Sequence, residues 1–407
     1  MRDLLAGGAG TAAGTASAPA GHGLAVRTGG GGWTAAGDLP VPLVYWHGQY
    51  EGPVTLEDGR ALAAGGAGPL LVSLDDSCVY EPGPGSWTVT GSLLLGRRLH
   101  SLTALRDGRA LAAGGVPGRQ AYPQPTVGHA ELFEPGSGTW RATTEMTEAR
   151  NGHSATVLDD GRVLVAGGQR PRSAHDMLTL AGAEVFDPVH ETWTPTGAMT
   201  VARWGHAAVP LPGGRVLAVG GMVATTRYGA SPSLGLCEVY EPGSGTWRPT
   251  GSLREARALH QAVPLPDGSV LAVGGDPGRS SDDARFHPYS LASTEIYDVA
   301  TGVWRPGPPL PWGRSYHRAA ATGDGVLVFG GTESACLHTG FASTLRLRDG
   351  AGRWEAAGPQ LTGRWSFGAT VLGDGRVLAA GGVSRMDVAA PRAGEGVPAR
   401  SAEVFAP

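Results

Sequence analysis

Short apolar runs recur along the chain, each opened by a charged turn and closed by two glycines: "DGRALAAGG" at 58–66 and again at 107–115, and "DGRVLVAGG" at 160–168. A run of four apolar residues between turn signals, with no polar alternation, predicts a strand covered on both faces. Before each run lies "R-x-x-H" and a half-apolar stretch, as in "RNGHSATVL" (150–158). After it come "AEVFDP" or "CEVYEP", a Gly-rich turn and a Trp. Each unit therefore predicts four short strands, lettered A to D, with Asp-Gly making the tight A to B turn. No stretch has the 3.6-residue period of a confident helix.

The unit repeats in register. Gly pairs begin at 65, 114, 167, 220, 274, 330 and 381, and the first six are followed by Trp87, Trp140, Trp193, Trp247, Trp304 and Trp354. A period near 50 with four strand signals per unit predicts propeller blades, seven of them. The last unit stops at "SAEVFAP" without its Trp, whereas Trp33 in "GGWTAAG" precedes the first. The N-terminal segment is thus expected to supply strand D of blade seven and to close the ring, removing two exposed edges. Residues 1–32 read as a Gly/Ala-rich segment, either a flexible tail or, through "LLAGG" and "LAVRTGGGGW", a partial competitor for that blade; residues 33–407 read as one domain.

These residues resemble the kelch repeat family in its bacterial form, with the pattern R-x-x-H, D-G-R-V-L, G-G, E-V-Y/F and W over roughly 33–407. The resemblance implies an all-β, seven-bladed kelch β-propeller of four-stranded antiparallel blades.

Composition narrows the chemistry. All 32 basic residues are Arg, so a lysine nucleophile, a Schiff base and a P-loop are excluded. A net charge of −4 gives no footprint for nucleic acid or an anionic membrane, and neither partner is expected. Cys78, Cys237 and Cys336 are too few and too scattered for a disulfide framework or a metal knuckle. The N-terminus makes a poor signal peptide and no segment suits a membrane span, so a cytoplasmic monomer is the expectation.

Strand order places every R-x-x-H and every long B to C loop on one face, where a small-molecule site is expected. An Arg and a His present in nearly every unit read as scaffold. Their natural partner is the Glu opening strand C: Glu131, Glu184, Glu238, Glu295 and Glu403. Blade six has Leu345 in that place, which leaves Arg314 as a spare cation. The stretch "PWGRSYH" (311–317) is therefore where scaffold is expected to have become site, with His317 as base, Tyr316 as acid and Arg314 holding an oxyanion.

Around it, an aromatic arc over blades six, seven and one (Trp312, Trp365, Phe367, Tyr45, Trp46, His47) and a more polar sector opposite (Arg98, Asn151, Trp204) are the candidate ligand contacts; inter-blade packing is the competing reading of the aromatics. Loop residues Asp176, Asp282, Asp283, Glu333, His175, His287 and His338 carry less weight. Such a set suits a small polar, aromatic or acidic ligand and cofactor-independent isomerase, epimerase, cyclase or lyase chemistry, which the kelch resemblance permits. The resemblance also admits a protein interaction module, since kelch adaptors use arginines on this face to bind acidic peptides. "RSYH" is similar, too, to the copper oxidases of the galactose oxidase type, where an adjacent Tyr and His bind the metal. Those enzymes need a second His and a Cys-crosslinked Tyr with no clear counterpart here, so no metal or cofactor is expected.

Overall fold

The computed structural model describes residues 31–41, 52–68, 71–119, 121, 123–174, 176–223, 232–278, 290–333, 339–385 and 397–407. Residues 1–30, Cys336 and the candidates Tyr45, Trp46, His47, His175, Asp282, Asp283, His287 and His338 lie outside them.

Seven four-stranded antiparallel sheets stand around an axis. Blade three shows the unit: Ser154–Val157, Val163–Ala166, Ala183–Asp187 and Thr192–Thr196, paired in that order from the axis outward. Strand B of every blade is wholly buried, as its unbroken apolar run requires. No membrane-length apolar helix occurs among the described residues.

Blade seven consists of Gly368–Val371, Val377–Ala380, Ser401–Ala406 and, as its outer strand, Gly32–Asp38. Trp33 pairs with Phe405, stacks obliquely on Phe329 and Phe405 at 5.1 and 5.3 Å, and donates its indole N–H to Thr344 Oγ1 of blade six at 2.8 Å. The expected closure by the N-terminal strand is what the fold shows. Seven apolar clusters each span two adjacent blades, and each includes or packs against the outer-strand Trp of one of them: Trp87, Trp140, Trp193, Trp247, Trp304, Trp354 or Trp33. The core is thus cut into seven wedges, one between each pair of neighbouring blades.

The Gly pair locks neighbouring blades. Gly167 and Gly168 have φ of +67° and +94°, a region that L-residues avoid. A Cβ on Gly167 would stand 3.0 Å from the His206 ring of blade four, and one on Gly168 would stand 3.0 Å from Cβ of His153 in its own blade. The Gly168 N–H meanwhile donates to the Arg203 carbonyl of blade four at 2.8 Å. The same contacts recur around the ring, so the repeat His is a wedge seated on the glycine of the preceding blade.

Candidate functional site

The repeat Arg is satisfied inside its own blade. Arg150 Nη2 lies 2.9 Å from Glu184 Oε1, and Nη1 donates to the carbonyls of Gly167 and Gly182 at 2.8 and 2.9 Å. Glu184 in turn accepts from the Thr147 and Glu148 N–H groups at 2.7 and 3.1 Å. Arg97–Glu131, Arg203–Glu238, Arg257–Glu295 and Arg364–Glu403 repeat the pair. All of these side chains are buried, which is possible because each charge meets its opposite and several dipoles.

Blade six departs in two coupled places. Leu345 occupies the register position of the acid, opposite Val328. Pro311 occupies the position whose backbone N–H would feed that acid, and proline has no N–H. Arg314 remains, fully buried, donating to the carbonyls of Gly330 and Ser343 and to Ser343 Oγ at 3.1, 3.4 and 3.0 Å, with the Phe341 ring 5.5 Å from its guanidinium carbon. Its Nε has no partner among the described residues. Burial alone lowers its pKa to about 10. Arg314 is therefore spare in charge, but it points into the blade.

His317 is also fully buried, with its ring against Gly274 of blade five, and burial together with Arg314 holds its pKa well below the ordinary value. Tyr316, between them, faces the opposite way. It has φ +53°, and the same left-handed bend is found at Leu99 (+54°), Gly152 (+61°), Gly205 (+60°), Leu259 (+52°) and Ser366 (+49°), always one residue before the His or its equivalent. Backbone bonds join them around the axis: Gly152 N–H to Leu99 O, Gly205 to Gly152 and Leu259 to Gly205, at 2.9, 3.1 and 3.2 Å, and Ser366 to Tyr316 at 3.3 Å. Bulky residues with positive φ are strained, and here hydrogen bonds between neighbouring blades, in two arcs of the ring, hold them.

That ring carries an axial cavity of about 180 Å³ on the B to C loop face, lined by Leu71, Arg98, Leu99, Gln124, Gln169, Trp204, Leu259 and Tyr316 from six blades. Arg98 is anchored on Ser73 Oγ and the Gly118 carbonyl at 2.7 and 3.1 Å. Trp204 lies over Gly152, where a Cβ would come within 3.2 Å of its ring. Among the buried polar atoms of the lining, Trp204 Nε1 and Gln124 Oε1 have no partner among the described residues. Burial, with Asp276 nearby, raises the Tyr316 hydroxyl pKa to about 12. At the other end of the axis a second cavity of about 360 Å³ runs between inner strands, against Leu102, Gln261, Arg318, Ala319 and Ala369.

The structure thus brings Tyr316, Trp204 and Arg98 together, from both sectors of the sequence reading. Asn151 is buried beside them, its amide donating to Thr126 Oγ1 at 2.9 Å. Trp365 is buried edge-on to Tyr316 at 5.5 Å, in a cluster with Ala67 and Val383. Phe367 takes the place of the repeat His, buried against Phe329. Trp312 is 47% exposed and does not line the cavity. Asp176 pairs with Arg172 at 3.2 Å, and Glu333 is half-buried in its loop. Leu99 and Leu259 escaped the sequence reading although they share the register of Tyr316, the one signal that could have found them. Gln169 follows a Gly pair, and Gln124 sits in an irregular loop that carries no signal.

Among the described residues no three His, Cys, Asp or Glu side chains are grouped to hold a metal, and His317 is wedged between blades while Tyr316 faces the cavity. The donor set does not fit copper.

No family model matches the chain. It is 28% identical over 250 residues to Kelch-like protein 34 of Homo sapiens, covering 60% of this chain and 36% of that protein. It is 26% identical over 240 residues to Beta-scruin of Limulus polyphemus (58% and 25%), and 27% identical over 199 residues to Kelch-like protein terF of Aspergillus terreus (45% and 39%). The chain thus matches only between a quarter and two fifths of the length of these relatives. Among solved structures it resembles a fungal alcohol oxidase of the AA5 family in complex with copper, with a TM-score of 0.68 and 16% identity over 94% of this chain and 76% of that one. It also resembles YjhT, with a TM-score of 0.55 and 12% identity over 74% and 93%. At such identities the two structures speak for the fold alone.

Proposed function

The chain is a kelch-repeat β-propeller, and from that premise we propose that it binds a small polar ligand in the axial cavity on the B to C loop face. The observation that carries this reading is that two buried polar atoms, Trp204 Nε1 and Gln124 Oε1, have no partner among the described residues, in a cavity that Leu71, Leu99 and Leu259 line together with Arg98, Gln169 and Tyr316. An unmade buried hydrogen bond costs about 1–3 kcal/mol, and a ligand that supplies the partners recovers it. Six of the seven blades contribute to the lining, so the ligand is gripped by the rigid ring as a whole.

Isomerisation, epimerisation, cyclisation and elimination all need a group that moves or shares a proton at the ligand. In our reading that group is Tyr316. Its hydroxyl, held protonated near neutral pH, donates to a carbonyl or enolic oxygen. Arg314 and His317 support it from behind, fixing the left-handed bend that aims Tyr316 along the axis. An acidic peptide is served less well, because the six repeat arginines that would greet it are all buried.

The test is native mass spectrometry of the purified protein after exposure to a small-molecule extract. Wild type is expected to retain a small species that Leu259→Trp, which fills the cavity, does not. Trp204→Phe, which removes the indole N–H and keeps a ring, guards against a folding defect in the first variant. Retention of the same species by both variants would overturn the proposal.

A further inference from the structure

We infer that the ligand of this cavity is a flat, neutral ring compound carrying a carbonyl next to an N–H or O–H, such as a cyclic amide or an enolised carbonyl, rather than a carboxylate. The inference rests on the axial-cavity reading and narrows it to a chemical class.

Trp204 Nε1 and Gln124 Oε1 are of opposite kinds. Trp204 Nε1–H only donates, and Gln124 Oε1 only accepts. A carboxylate brings acceptors alone, so it satisfies the indole and leaves the Gln124 oxygen facing a negative charge. A cyclic amide brings both complements on adjacent atoms. The Tyr316 hydroxyl, on the same lining, adds a second donor for the carbonyl. Asp276 acts on Tyr316, and the one cation of the lining, Arg98, already gives a guanidinium nitrogen to Ser73 Oγ and the Gly118 carbonyl. Leu71, Leu99 and Leu259 offer only apolar contact, which suits a ring and not a second polar end.

Size agrees. A cavity of about 180 Å³ matches roughly six waters at about 30 Å³ each, the space of a single substituted ring. Flatness is favoured because two aromatic side chains, Trp204 and Tyr316, enter from blades four and six, and aromatic faces pack best on a planar partner. Gly152 is part of the device: a Cβ there would stand 3.2 Å from the Trp204 ring, tight enough to require the indole to shift slightly.

Isothermal titration with three probes tests the class. They are 2-pyridone (carbonyl and N–H), N-methyl-2-pyridone (carbonyl only) and benzoate (anionic, acceptor only). The full-length protein is expected to bind 2-pyridone about tenfold more tightly than its N-methyl derivative, the loss of one hydrogen bond, and more tightly than benzoate. Gln124→Leu should erase the difference between the two pyridones, and Trp204→Phe should weaken both equally. Benzoate binding most tightly, or a pyridone preference that survives Gln124→Leu, would sink the inference. So would the absence of binding by all three probes. None of these results touches the broader reading, which stands or falls on the retained species above.

Discussion

Replacing Arg150 and Arg314 separately by Met sets the two kinds of blade against each other. In blade three the substitution strips Glu184 of its only guanidinium while the carboxylate stays 2% exposed, and it removes the donor to two carbonyls. One-sided loss of a buried ion pair costs about 3–5 kcal/mol. Arg314→Met removes a buried cation that has no carboxylate partner among the described residues. Its hydrogen bonds to Gly330 and Ser343 contribute about 0.5–1.5 kcal/mol each, and they are opposed by the several kcal/mol needed to bury an unpaired ion. The expected net change lies within about 1 kcal/mol of zero and can favour the variant. Restoring the acid supplies the converse: Leu345→Glu alone lacks the backbone donor that Pro311 cannot give, whereas Leu345→Glu with Pro311→Thr should recover most of the loss. The assay is urea unfolding followed by tryptophan fluorescence, read as midpoint shifts at unchanged slope. Equal losses for Arg150→Met and Arg314→Met would refute the argument that blade six has exchanged an ionic network for an apolar one.

Deletion of residues 1–40 removes the outer strand of blade seven and the Trp33 contacts, so cooperative thermal unfolding is expected to disappear; a deletion variant that melts like the full chain would contradict the closure. Tyr316→Gly relieves a bend that costs about 1–2 kcal/mol and loses an edge contact worth about 0.5–1.5, so stability should stay within about 1 kcal/mol of wild type while ligand retention is lost. His153 and His260 have pKa values lowered to about 3, chiefly by burial and then by Arg150 and Arg257. Because the unfolded chain takes up these protons near pH 6.5 and the folded one only near 3, their stabilisation is complete above pH 6.5 and drains away as pH falls towards 3. His153→Phe, the choice nature makes at Phe367, should flatten that fall in urea midpoints measured against pH; an unchanged slope would place the acid sensitivity elsewhere.

The amino-acid sequence by itself determined the architecture, because a propeller writes its interactions once per blade. The Gly pairs counted the blades, and the missing Trp after "SAEVFAP" with the extra Trp33 located the closure. The matching presence of Arg and Glu identified the buried pair, and Leu345 marked the blade that keeps the Arg without the acid. Periodicity gives position within a unit, and each of those features depends on position alone. Side-chain direction does not. Within "RSYH" the Arg and His turn into the blade while Tyr316 turns to the axis, since a single left-handed residue between them reverses the path, and that bend is imposed by neighbouring blades. The same step carried Trp365 and Phe367 into inter-blade packing and brought Trp204, expected in a separate sector, to the wall opposite Tyr316. Gln124 reaches the cavity from a loop that repeats nowhere else in the chain. A cavity assembled at the axis from six blades is a property of ring closure, so only the tertiary structure could decide which members of the repeat share it.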